Sequence, residues 1–137
     1  MAERDYSGTP LVRKLGIREG SRVVVLGAPD GFELGALPIG ATMLPRVRAP
    51  LDVALLFVTR RVELDRRFPR LAHALDPAGR LWVAWPKKAS TVATDLSFGS
   101  VQAAGLGAGL VDNKSASIDQ VFQGLQFVVR LRDRPKP

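Results

Sequence analysis

Two pairs of basic residues stand directly after two apolar runs of this 137-residue chain. Arg60 and Arg61 follow residues 53–58, and Lys87 and Lys88 follow residues 81–85. Hydroxyl side chains accompany them at Thr59, Ser90 and Thr91. Cations and hydroxyl donors together make charge-assisted hydrogen bonds to phosphates and carboxylates. If the runs are parallel strands, their ends meet at one sheet edge, so the pattern predicts an anion-binding rim with one cation from each pair. The alternative is that these cations only keep the edge solvated.

The elements that must position this rim are strands alternating with helices. Continuous apolar runs of strand length are typical of buried parallel strands, and residues 62–75 carry the apolar spacing of one helix face. The last two strands most simply form an antiparallel hairpin. The predicted spatial order of the strands is 42–47, 23–26, 53–58, 81–85, 125–131 and 110–118. We therefore expect an α/β, three-layer Rossmann-like sandwich with a mostly parallel sheet and a C-terminal antiparallel hairpin, and with helices on both faces.

Capping residues and prolines predict where the first helices begin and end. Thr9 is the expected N-cap of a short first helix, with Pro10 at its first position. Residues 32–37 are expected to form one or two helical turns. Pro69 lies inside the helix of residues 62–75, so we expect a kink there or a split into two turns.

The second half of the chain carries three further local predictions. Thr94 or Asp95 is expected to cap a helix that ends at Ala104, which favours a structural role for Asp95 over that of a catalytic acid. Trp82 and Trp85 differ in strand parity, so they should face opposite sides of the sheet within the core. Residues 112–114, Asp-Asn-Lys, either form a bulge at the start of the last hairpin or reach the rim, and the bulge is favoured.

The charge balance is strongly basic, with 20 Lys and Arg against 13 Asp and Glu and a formal net charge of +7. Such a balance attracts phosphates, acidic partners or nucleic acid, although the chain carries no nucleic-acid-binding motif. The alternative is a solvated basic surface, because much of the arginine lies alone or on a helix face. The chain has no cysteine and one histidine, His73, which is expected at the surface, so no metal site is predicted.

The length suits one domain over residues 1–137, with tails expected to be loose at residues 1–8 and 132–137. The polar start is unlike a secretory signal, and no apolar run approaches the roughly 20 residues of a membrane span. We therefore expect a cytoplasmic protein without a membrane partner. Ser7 is expected in a turn, without a recognisable catalytic base.

The segment LGIREGSRVVVLG at residues 15–27 resembles the start of a class I S-adenosylmethionine-dependent methyltransferase. The later order of strands and helices is similar to the second half of that fold, with one strand–helix unit missing from the first half. This resemblance implies a shared architecture. The loop Gly27-Ala28-Pro29-Asp30-Gly31 lacks the closely spaced glycines of the family's cofactor loop, and no acidic residue ends the second strand. No cofactor is therefore predicted, and Gly27, Asp30 and Gly31 are the weak candidates for cofactor contacts.

A second resemblance runs nearly end to end. The strings YSGTPL, KLG, FVTR, WVAWPKK and LVDNK resemble those of the bacterial domain-of-unknown-function family 3052. The resemblance implies a bacterial protein and carries no activity that can be transferred. The sequence favours a non-catalytic domain that binds a small anionic ligand at its strand ends. The alternatives are a divergent methyltransferase-like enzyme and a basic module that binds protein or nucleic acid.

Overall fold

The computed structural model describes residues 9–135 of the chain. In chain order its elements are α1 (Leu11–Lys14), β1 (Arg22–Leu26), β2 (Thr42–Met43), β3 (Leu51–Phe57), α2 (Arg61–Ala74), β4 (Leu75–Pro86), α3 (Phe98–Gly107), β5 (Leu110–Ser117), β6 (Phe122–Val129) and a 3-10 helix (Leu131–Asp133). Arg134 Nε donates to the Val129 carbonyl at 3.0 Å within the tail that was expected to be loose. The whole N-terminal tail of residues 1–8, which includes Ser7, lies outside the described residues. Between residues 9 and 135, no helix has the length and apolarity needed to cross a membrane.

The strands form one mixed sheet in the order β2-β1-β3-β4-β6-β5, which confirms the predicted strand order. β1 pairs in parallel with β2 and β3, and β3 pairs in parallel with β4. β6 lies between β4 and β5 and is antiparallel to both. The expectation of a mostly parallel sheet is therefore inexact, because the return strand of the hairpin inserts beside β4 and makes both of its pairings antiparallel.

Side-chain parity along β3 divides the core into two layers. Ala54 and Leu56 pack with the buried faces of α2 and α3 on one side of the sheet. Val53 and Leu55 pack with α1 on the other side. The two tryptophans follow the same rule, since Trp85 belongs to the first layer and Trp82 to the second, as predicted. Helices thus lie on both faces, although α1 has only four residues.

The chain of residues 28–41 completes the outer layer beside α1. It contains no helix, so the expectation of helical turns at residues 32–37 is wrong. Gly31 and Gly35, with φ of 81° and 102°, interrupt any helical run there. Phe32, Leu34 and Leu37 nevertheless pack against the core of this face. An irregular segment therefore covers the sheet where a longer helix was expected.

Several helix and strand boundaries differ from the expected ones. Pro10, with ψ of 144°, is the N-cap of α1 in place of Thr9. α2 continues through Pro69 without the expected split, because Phe68 and Leu71 on either side are both anchored in the core. β2 is shorter than expected, and β4 begins at Leu75, directly after α2.

The hairpin of β5 and β6 contains the predicted bulge, with a register shift between Asp112 and Lys114. Asn113 accepts a hydrogen bond from the buried Gln126 side chain at 2.8 Å. Asp112 accepts from Gln102 of α3 at 3.2 Å. These contacts give the Asp-Asn-Lys segment a structural role between the hairpin and α3.

Gly105 lets α3 pack closely on the hairpin, because a Cβ at this position would overlap the Phe127 ring. We expect Gly105→Ala to lower the free energy of unfolding by about 1–3 kcal/mol, the usual cost of overpacking a core. Urea denaturation followed by circular dichroism measures this change.

Gly107→Ala is the matched control, since a Cβ there would meet nothing within 4 Å. It should leave stability unchanged or raise it by up to about 1 kcal/mol, because alanine is the better helix former. Equal effects of the two substitutions would contradict the packing role of Gly105.

Candidate functional site

The residues of the predicted anion rim lie at the carboxyl ends of β3 and β4, and the second basic pair lines a depression there. Lys87, Lys88, Ser90 and Thr91 line one depression of about 890 Å³ beyond the end of β4. Thr59, Arg60 and Arg61 do not line this depression. The two basic pairs therefore do not share one depression, and an anion-binding role for either pair remains a prediction.

The side chains of the two basic pairs make hydrogen bonds to different parts of the chain. Arg61 lies in the first turn of α2 and its Nε donates to Asp65 Oδ1 at 3.4 Å, within an exposed i, i+4 ion pair. Lys87 Nζ donates to Ser117 Oγ at 2.8 Å, toward β5. Arg60 is exposed at the N-cap of α2. Adjacent strands thus present their basic pairs at one edge, but the side chains follow different neighbouring elements.

A lysine cluster at Ser117 is a product of the tertiary structure. Lys14 Nζ lies 3.5 Å from the Ser117 carbonyl oxygen, and Lys114 Nζ lies 3.5 Å from the Lys14 carbonyl oxygen. The Ser117 hydroxyl donates to the Asp119 carbonyl at 3.1 Å while it accepts from Lys87. The hydroxyl therefore links Lys87, in the loop after β4, to β5. Because it donates its proton to a backbone carbonyl, it is not placed to act as a nucleophile.

Sequence reasoning missed a second depression, of about 440 Å³, beside α2. We call it the arginine pocket, and it is lined by Leu26, Pro45, Arg46, Val47, Arg66, Arg67 and Arg70. α2 supplies three of the arginines, and the chain after β2 supplies Arg46. The i, i+4 spacing of Arg66 and Arg70 indicates that both lie on one face of a helix, and this face forms one wall of the pocket. Nothing in the sequence showed that Arg46 lies opposite, because residues 28–50 had no clear pattern.

The charge of the arginine pocket is unbalanced within the described part of the chain. Between residues 9 and 135, none of its four arginines forms an ion pair, in contrast to Arg61 one turn earlier. Like charges at i, i+4, such as Arg66 and Arg70, destabilise a helix by roughly 0.2–0.5 kcal/mol. An anion bound between the two walls would offset this repulsion.

The glycine loop after β1 is explained by packing. Gly27 has φ of 72°, and a Cβ there would lie 2.5 Å from the Phe57 carbonyl oxygen. Asp30 and Gly31 are exposed. Phe32 packs edge-on against Phe57 with the ring centroids 4.9 Å apart. Gly27, Asp30 and Gly31 line neither of the two depressions described above.

The opposite, amino edge of the sheet carries a smaller polar depression of about 310 Å³, which includes Arg18, Asp52 and Arg80. Burial, and secondarily the charge of Arg18, lowers the pKa of Arg80 from its usual range. Asp52 is occupied in accepting from the Arg22 backbone N–H at 2.8 Å. His73 is exposed, as expected, and no group of three metal-ligating side chains occurs between residues 9 and 135.

Comparison with known proteins gives a clear result for the fold. Magnesium protoporphyrin IX methyltransferase from Synechocystis PCC 6803 with bound SAH has a TM-score of 0.56, is 11% identical and matches over 88% of this chain and 78% of its own. The same enzyme with bound SAM has a TM-score of 0.54, 9% identity and coverages of 88% and 74%. The chain has a methyltransferase-like Rossmann fold.

A further solved structure, the LepI complex with SAM, also shares this fold. It has a TM-score of 0.50, is 11% identical and matches over 95% of this chain and 49% of LepI. Identities this low show a shared fold and no shared activity. No protein-family model matches the chain, and no curated protein is similar to it in sequence, so the resemblance to family 3052 is not confirmed.

Asp95 and Thr94 join the loop after β4 to the start of α2. Asp95 Oδ1 accepts from the Arg61 backbone N–H at 2.7 Å, and the Thr94 hydroxyl donates to the Thr59 carbonyl at 2.6 Å. The expectation that either residue caps its own helix is wrong, because Ser97 caps α3, which runs to Gly107. Asp95 caps α2 instead, whose N-cap residue Arg60 makes no side-chain capping hydrogen bond.

We expect Asp95→Ala to lower the free energy of unfolding by about 1 kcal/mol, the typical cost of losing a cap acceptor. Asp95→Asn keeps an acceptor oxygen and should lose much less. Urea denaturation of the two variants tests this, and an equal loss in both would show that the negative charge, and not the hydrogen bond, stabilises the start of α2.

Proposed function

We propose that this chain binds an anionic, phosphate-bearing ligand in the arginine pocket. The observation that carries the proposal is the meeting of four arginines from two separate segments around one depression. Guanidinium groups bind phosphate and carboxylate oxygens through paired hydrogen bonds and are weakly hydrated, which makes arginine the preferred side chain for this task. The volume of about 440 Å³ is within the range of small-ligand sites.

The position of the arginine pocket in the fold supports the same function. Leu26, which lines the arginine pocket, is the last residue of β1, and Arg46 follows the end of β2. The strand order reverses at β1, since β2 lies on one side of it and β3 on the other. Ligands of open α/β sheets bind at the carboxyl ends of the strands beside such a reversal. The sequence predicted an anion at this edge, and the proposal moves it from β3 and β4 to β1, β2 and α2.

The test compares two double substitutions that remove the same charge. Arg66→Gln with Arg70→Gln should weaken pyrophosphate binding at least tenfold, because it removes two of the four guanidinium groups of the arginine pocket. Isothermal titration calorimetry measures the dissociation constant. For the unaltered chain, this constant should rise with salt, since exposed charges are screened over about 8 Å at physiological ionic strength.

The control, Arg60→Gln with Lys87→Gln, removes one cation from each half of the sequence-predicted rim. It should leave pyrophosphate affinity unchanged. If this control loses binding and the Arg66 and Arg70 variant keeps it, the rim is the anion site and the arginine pocket is not.

A second candidate function is an S-adenosylmethionine-dependent enzyme, which the fold of the SAM- and SAH-bound neighbours favours. The contacts at the end of β1 argue against it. Gly27 lies tight against the Phe57 carbonyl and Phe32 packs edge-on against the Phe57 ring, so both ends of this loop are engaged with β3. The exposed residues 27–31 line neither of the depressions described above.

We therefore expect no micromolar binding of S-adenosylmethionine in calorimetry. Micromolar affinity in the unaltered chain, weakened by Asp30→Ala at the exposed part of this loop, would favour the enzyme over the anion-binding domain.

A further inference from the structure

The arginine pocket continues along α2 into a second depression of about 460 Å³. This second depression is lined by Val47, Ala49, Pro69, Arg70, His73 and Ala74. Val47 and Arg70 line both depressions, so the two adjoin each other between α2 and residues 45–49, and we call the pair the groove. At about 1.5 Å per helical residue, the α2 wall from Arg66 to His73 is about 10 Å long.

The two halves of this groove differ in chemistry. The half at the carboxyl edge holds Arg46, Arg66 and Arg67 in addition to the shared Arg70. The other half adds aliphatic and proline side chains and only one titratable group, His73. A free phosphate or pyrophosphate would use the first half alone. A ligand that uses both halves must carry its charge at one end and an uncharged body at the other.

We propose that the groove binds a diphosphate ester, with its phosphates among the arginines and its uncharged body along Val47, Ala49 and Pro69. This inference rests on the proposed function and adds the class of ligand. The order of the two halves sets the direction of the ligand, with the phosphates toward the end of β1 and the body toward the C-terminal end of α2. A nucleoside and an alkyl chain are the two bodies that this chemistry accommodates.

The experiment measures dissociation constants for pyrophosphate, ADP and a short-chain alkyl diphosphate by calorimetry. At least one ester should bind at least tenfold more tightly than pyrophosphate. If ADP is the tighter ester, the uncharged body is aromatic, and if the alkyl diphosphate is the tighter ester, the body is aliphatic. Equal affinity for all three would overturn the inference and leave the proposed anion site standing. No binding of any of the three would overturn both.

Pro69→Ala with His73→Ala tests the uncharged half separately. Both residues are exposed on α2 and line only this half, and alanine preserves the helix. The variant should lose the preference for the ester and keep its affinity for pyrophosphate. Val62→Ala, an exposed apolar truncation on the same helix outside the groove, should change neither affinity. An unchanged ester preference in the double variant would overturn the placement of the body.

Discussion

The structure depends on the burial of β3 on both of its faces. Residues 53–58 are at most 4% exposed, and they alternate between the layer of α2 and α3 and the layer of α1. A strand without a solvated face requires a hydrogen-bonded neighbour on each side and a cover above and below. β1 and β4 supply the neighbours, and α2 supplies much of the cover on one side. The sheet edges and the loops at the strand ends are therefore where charged side chains collect.

Loops at the carboxyl edge decide which of those charged side chains meet. The loop after β4 is tied to the start of α2 through Thr94 and Asp95, while Lys87 is drawn toward Ser117 of β5. The chain after β2 brings Arg46 to the side of α2. Strand adjacency alone thus does not determine the composition of a site, because each side chain follows the partners that the neighbouring elements offer it.

The fold and the candidate site point to different conclusions about chemistry. The solved neighbours with bound SAM or SAH share the fold, at identities of 9–11%. In this chain Gly27 after β1 lies tight against the Phe57 carbonyl, and four arginines line one depression on the α2 side. One architecture supports many functions because the side chains arranged around the sheet, and not the sheet itself, carry the chemistry. The proposed function therefore rests on the four arginines of the arginine pocket and not on the fold.

Sequence alone determined the features that depend on local pattern. The six strands and their order, the hairpin with its bulge at residues 112–114, and the opposite faces of Trp82 and Trp85 all follow from apolar runs, strand parity and chain connectivity. These properties are local because each strand must match the period of the pleat and each crossover has a preferred hand.

Only the tertiary structure decided the features that join distant parts of the chain. It made residues 32–37 an irregular cover, placed Asp95 as the cap of α2, and put Lys87 and Lys88, without Arg60 and Arg61, around the depression beyond β4. It also set Arg46 opposite the arginines of α2. A side chain's neighbour across a groove depends on how the intervening loop folds onto the core, and no periodicity in the sequence encodes that distance.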